Sequence, residues 1–142
     1  GFIASGGTVG ITGGTIQFGD ALSPASQTIG MNSVFNQANI SVNSSNVTCL
    51  LQNNLTILQS LTINAGALNA SNFNITLAGQ WLNNGTFTAG TGTVTLNGTG
   101  TQSINTFAGE TFNNLTVNKV SGYLLLENKL LIAEVCKRVH SS

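Results

Sequence analysis

The sequence predicts an all-β chain wound as a right-handed parallel β-helix, a solenoid of about six coils. Three observations point there: a duplicated text, a shorter rhythm of strand-like triplets inside it, and polarity supplied by Asn, Thr, Ser and Gln in place of charge. Only 6% of the 142 residues are charged, against about 25% in ordinary soluble domains. Hydrophobic residues make up 41% and recur at short regular intervals, which argues against disorder. With 17 Gly and a single proline, Pro24, turns must come from glycine and asparagine.

The duplication comes first. Ser26-Gln27-Thr28-Ile29 returns as Thr101-Gln102-Ser103-Ile104 about 75 residues on. Leu51-Gln52-Asn53-Asn54-Leu55-Thr56-Ile57 returns at the same spacing as Leu126-Glu127-Asn128-Lys129-Leu130-Leu131-Ile132, and Phe35-Asn36 returns as Phe112-Asn113. The opening, Phe2-Ile3-Ala4-Ser5-Gly6-Gly7-Thr8-Val9, resembles Phe87-Thr88-Ala89-Gly90-Thr91-Gly92-Thr93-Val94. Repeats therefore occupy residues 1–132, as two related units at about 2–86 and 87–132, the second incomplete; 133–142 is a divergent tail or cap.

Inside each unit, Leu61-Thr62-Ile63, Leu68-Asn69-Ala70 and Phe73-Asn74-Ile75-Thr76-Leu77 alternate apolar and polar residues with the period of a strand. Trp81-Leu82-Asn83, Thr86-Phe87-Thr88 and Thr93-Val94-Thr95-Leu96 repeat the triplet about 20 residues later. Asn84-Gly85 and Asn97-Gly98 suit tight antiparallel hairpins, but a hairpin meander gives no reason for triplets to recur, whereas a coil of three faces does. Inward positions then form aliphatic columns, Val94 with Leu77 or Ile75, and Leu115 and Val117 further along the stack. Thr fills outward strand positions and Asn pairs its amide with the Asn of the next coil. Trp81 aligns with the core-facing Leu61, which predicts burial over an exposed sugar-stacking platform.

After Ile132 the text changes to Ala133-Glu134-Val135-Cys136-Lys137-Arg138-Val139-His140. Read as a helix, Leu131, Val135 and Val139 share a face, which would make a short C-terminal capping helix over the last coil. A fragment boundary or non-native tail accounts for the change equally well. The beginning of the chain shows no signal peptide and no comparable cap, so Gly1 is expected to start a mature chain or an excised fragment, its end open to stack on another molecule or on upstream sequence. Cys49 is expected as a small buried hydrophobe, and with Cys136 several coils away no intramolecular disulfide is expected.

The chemistry-bearing residues are sparse. The acids are Asp20, Glu110, Glu127 and Glu134. Glu110 is read into the turn before Phe112; Glu110 and Glu127 could meet in adjacent coils, but solvated loop charges explain them better than a catalytic pair. His140 is the single histidine, two residues from the end, so neither a Ser-His-Asp arrangement nor a histidine metal site is expected. Gly90-Thr91-Gly92 lacks the Lys-Ser/Thr ending of a phosphate loop and precedes a strand. No catalytic residue, cofactor or metal ligand is therefore predicted. Zero net charge offers no attraction to nucleic acid, and no apolar run reaches the ~20 residues of a spanning helix. Asn39, Asn43, Asn46, Asn54, Asn69, Asn74, Asn84, Asn97 and Asn114 stand in Asn-x-Ser/Thr sequons and are candidate glycosylation sites, although strand and turn composition generates many such matches. The pairs Thr86-Phe87-Thr88 and Thr93-Val94-Thr95 raise ice binding. Their counterparts one coil earlier, Leu68-Asn69-Ala70 and Asn74-Ile75-Thr76, do not repeat the pair, so ordinary outward threonines account for them.

The run from Gly85 to Gly100 (GTFTAGTGTVTLNGTG), followed by Gln102, Ile104 and Phe112-Asn113-Asn114-Leu115-Thr116-Val117, resembles the β-helix repeats of large bacterial secreted and surface proteins of the haemagglutinin-like, adhesin type. The resemblance covers about residues 2–132. It implies an extracellular or cell-surface, non-catalytic structural or adhesive segment: the stalk of a surface adhesin, or a subunit that self-associates by end-to-end coil stacking into a head-to-tail filament. A carbohydrate-binding or carbohydrate-cleaving β-helix and an ice-binding protein are the alternatives, with a surface or glycan as the expected contact.

Overall fold

Short alternating runs separated by small polar residues become short strands, and each strand finds its partner one coil away. The structure is a computed structural model. It describes residues 2–4, 14–19, 26–31, 34–35, 39–128, 130–132 and 137–138. In chain order the strands are β1 (Phe2–Ala4), β2 (Thr15–Phe18), β3 (Ser26–Met31), β4 (Val34–Phe35), β5 (Asn39–Leu51), β6 (Leu55–Ile57), β7 (Leu61–Asn69), β8 (Ile75–Leu77) and β9 (Trp81–Asn83). There follow β10 (Thr86–Thr88), β11 (Thr93–Leu96), β12 (Gln102–Thr106), β13 (Glu110–Phe112), β14 (Asn114–Val117), β15 (Leu124–Glu127), β16 (Leu130–Ile132) and β17 (Lys137–Arg138).

Every pairing among them is parallel. One sheet runs β1-β3-β5-β7-β9-β12-β15, with β2 on β5 and β10 on β7; a second runs β4-β6-β8-β11-β14-β17; β13 pairs with β16. The long strands β5 and β7 turn a corner without interruption, with register shifts between Val42 and Asn43 and between Asn43 and Thr48. In the next coil that corner breaks the strand, and β9 and β10 stand apart. The chain is thus an all-β parallel solenoid.

The expected number of coils is corrected. Residues 39–128 make about four turns, not six. Strands on either side extend the same sheets, but the described residues there do not complete further coils. The expected capping helix is also corrected where it is described: Leu130–Ile132 pairs with β13, and Lys137–Arg138 pairs with Thr116 and Val117 of β14. The open edge of a parallel sheet offers backbone partners to an incoming strand, and a helix offers it none. Residues 133–136 and 139–142 lie outside the described residues. The two Asn-Gly pairs make no hairpin; Asn84 N–H donates to Ile63 O at 2.8 Å and Asn97 N–H to Leu77 O at 3.0 Å, both one coil back.

The interior is a set of stacked columns. Ile40, Leu61, Trp81 and Ile104 are in register, and all are buried. Leu55, Ile75, Val94 and Leu115 form a second column, and Ile57, Leu77 and Leu96 a third. Cys49, Leu68 and Phe87 make a fourth. Each fully buried aliphatic side chain contributes about 1.5–3 kcal/mol. Trp81 packs edge-on against Phe87 and Phe112, with ring centroids at 4.8 and 5.1 Å.

Corners fit because some of them have no side chain. Gly90 sits at φ +60° with the position of a Cβ only 1.2 Å from Ser71 O of the coil before. Left-handed backbone and close approach together leave glycine as the only fit. Gly100 has open space at the same position. Gly90→Ala is therefore expected to cost about 2–4 kcal/mol, from left-handed strain plus overpacking. Gly100→Ala should leave the urea midpoint nearly unchanged; equal midpoints for the two variants would contradict the corner packing.

Candidate functional site

Outward side chains at two corners are tied to the backbone of the next coil. Asn39 Oδ1 accepts from Ser60 N–H at 3.0 Å, Ser60 Oγ from Gln80 N–H at 3.0 Å, and Gln80 Oε1 from both Ser103 N–H and its hydroxyl. At the other corner Asn54 Oδ1 accepts from Asn74 N–H, and Asn74 Oδ1 from Thr93 N–H, each at 2.9 Å. These bonds span 19 to 23 residues, one coil each. Asn43 and Asn64 join amide to amide at 3.1 Å, the side-chain pairing expected of stacked asparagines.

The ladders sort the nine sequons. Asn39, Asn43, Asn54 and Asn74 hold neighbouring coils, and Asn69 Oδ1 accepts from Ser71 N–H within its own turn at 2.7 Å. Asn97 turns Oδ1 into the interior with no partner among the described residues, and Asn114 is half-buried. Asn46 and Asn84 are exposed. Both border a surface groove of about 520 Å³ where β5 and β7 turn the corner. Its lining also includes Asn64, Thr48, Thr86 and Gly66, and no titratable side chain.

Glu110 departs most from expectation. It is not a solvated turn charge but lies in β13 and is only 3% exposed. Trp81 Nε1–H and Asn83 Nδ2–H both donate to its Oε2 at 2.8 Å, and Thr111 N–H donates to Oε1 at 3.2 Å. The reason is parity: Phe112 points inward, so the residue two before it in the same strand must do so too. Burial pushes the Glu110 carboxyl up from its ordinary value, against the opposing pull of the three donors. Asn83 reaches it because the column Val42, Ile63, Asn83, Thr106 changes from aliphatic to polar at this coil. Thr106 Oγ1 is buried in the same column without a partner among the described residues.

Glu127 is exposed and accepts from Asn105 Nδ2–H at 2.7 Å, so the two acids are engaged by different residues. Asp20, Glu134, Cys136 and His140 lie outside the described residues. Cys49 is a free, buried thiol whose pKa burial pushes up to about 12, the inert small hydrophobe expected. Sequence reading missed Gln102. Buried under the corner, it accepts from Gly98 N–H at 2.8 Å and donates to Leu77 O at 3.1 Å and Gly79 O at 2.7 Å. Lys119 Nζ closes over the same corner, donating to Gln102 Oε1 at 2.9 Å and to the carbonyls of Gly98 and Gly100. Among the described residues no three His, Cys, Asp or Glu side chains gather as a metal would require. No protein-family model, curated protein or solved structure matches the chain.

The buried acid makes stability depend on pH with a definite sign. Its folded pKa is raised, so the folded state takes up the proton first, and stability rises as pH falls from neutral towards the ordinary carboxylate range. Glu110→Gln, measured by thermal melts between pH 8 and pH 5, should flatten that dependence while keeping an acceptor for Trp81 and Asn83. Glu110→Leu leaves both donors buried and unpaired and should cost about 2–4 kcal/mol, more at pH 5 than at pH 8. A Glu110→Gln variant as pH-dependent as the parent would refute the assignment.

Proposed function

We propose that the chain is a non-catalytic, extracellular structural or adhesive solenoid segment, a shaft that works by shape and by its Asn- and Thr-rich outer faces. The observation that carries the reading is the use to which the buried acid Glu110 is put. Glu110 accepts from Trp81, Asn83 and Thr111, and among the described residues no second carboxylate joins it, so it serves to fix the core and does not form the carboxylate pair that hydrolysis uses. Side-chain oxygens that bind each coil to the next favour rigidity along the axis, which is what a stalk requires. None of the described residues forms a helix long and apolar enough to cross a membrane.

A second reading, contact with a neutral glycan, is favoured by the groove at the corner of β5 and β7. Amides and hydroxyls line it without a charge, which suits a neutral polyol better than an anionic one. Incubation of the purified chain with a panel of neutral and acidic polysaccharides tests the non-catalytic reading. No release of reducing ends is expected from any of them, and turnover abolished by Glu110→Gln would overturn it. On a glycan array, binding of neutral glycans lost in Thr86→Trp would move the contact into the groove.

A further inference from the structure

The face made by β6, β8, β11 and β14 differs from the rest of the surface. Thr56 is in register with Thr76, Thr76 with Thr95, and Thr95 with Thr116. Four threonines therefore stand in one outward column, one per coil. Two residues earlier in the chain, Asn54 is bonded to Asn74 and Asn74 to Thr93, and Thr93 is in register with Asn114, which makes a parallel column. Between the columns Leu55, Ile75, Val94 and Leu115 point into the core at 3% exposure or less. The other faces show no such order: the outward column through β7, β9, β12 and β15 reads Thr62, Leu82, Asn105, Glu127.

We propose that this face is an ice-binding surface. Its two spacings are set by the backbone: about 4.8 Å from coil to coil and about 6.6–6.8 Å from one column to the next. Both are close to oxygen–oxygen repeats in planes of ice. Threonine holds its hydroxyl in few rotamers, so identical stacked threonines repeat one orientation. Asn74 N–H donates to Asn54 Oδ1 and Thr93 N–H to Asn74 Oδ1, which fixes the first three members of the second column. None of the four threonine hydroxyls bonds to another described residue, so each is free to hold water. The four rungs carry no charge that would pull water out of such an order; the array ends where Thr116 meets Lys137 in register. The ligand is crystalline water, held by many weak, regularly placed contacts. This goes beyond the shaft reading and stands independently of it.

Freezing-point hysteresis and ice-crystal shaping by the full chain test the proposal. The parent is expected to show both. Thr76→Tyr and Thr95→Tyr, which lift a ring out of the flush face, are expected to lose them with an unchanged circular dichroism spectrum. Thr86→Tyr, on a different face, is expected to keep them. Absence of hysteresis and shaping in the parent would overturn the proposal, as would equal loss in Thr86→Tyr. So would sedimentation with crystalline cellulose or chitin without any effect on ice, which would assign the array to a polysaccharide surface.

Discussion

Backbone pairing between successive coils is the constraint on which the rest of this structure depends. Each strand bonds to the equivalent strands before and after it, about 4.8 Å away, and a residue's neighbours are thereby set by its place in the coil. A column then has to be made of side chains that tolerate their own likeness. Aliphatic residues do so inside, as in Leu55, Ile75, Val94 and Leu115. Outside, like charges stacked at that distance would repel, whereas Asn, Thr, Ser and Gln carry donor and acceptor together and can bond upwards and downwards. A chain with 6% charged residues is the compositional result.

Where the columns change character, the core pays for it with hydrogen bonds. Asn83 interrupts an aliphatic column and Glu110 enters from the neighbouring face, and each answers the other at 2.8 Å with Trp81 as second donor. Gln102 does the same at another corner, reaching three backbone groups and Lys119. Both clusters bridge neighbouring coils. They are specific to their level and therefore fix which coil lies on which, a register that uniform columns of Leu and Ile leave undefined.

Strand type, strand direction and core columns were legible in the sequence, because alternation and repeated triplets are local patterns. Trp81 followed from alignment with Leu61 and Cys49 from its character as a small hydrophobe, and both are buried. Glu110 was misread because its charge suggested water, although its spacing from Phe112 already placed it inside. Spacing alone allows the tail a capping helix as readily as an arbitrary end; Lys137–Arg138 instead takes the edge that β14 offers, a tertiary opportunity that local pattern does not contain. The threonine column was hidden by coils of unequal length. Thr56, Thr76, Thr95 and Thr116 are not evenly spaced in the chain, and only the pairing register puts them in line. The sequons are dense for a related reason: an Asn that bonds the next coil, an inward aliphatic residue and an outward Thr spell Asn-x-Thr, as at Asn54 and Asn74.

The measurement that bears most directly on the coiled backbone is a set of interstrand nuclear Overhauser contacts in solution. Parallel winding predicts backbone contacts of Thr76 with both Thr56 and Thr95, and of Ile63 with Asn83. Contacts between the strands on either side of Asn84-Gly85, Leu82 against Phe87 with their directions opposed, would contradict it.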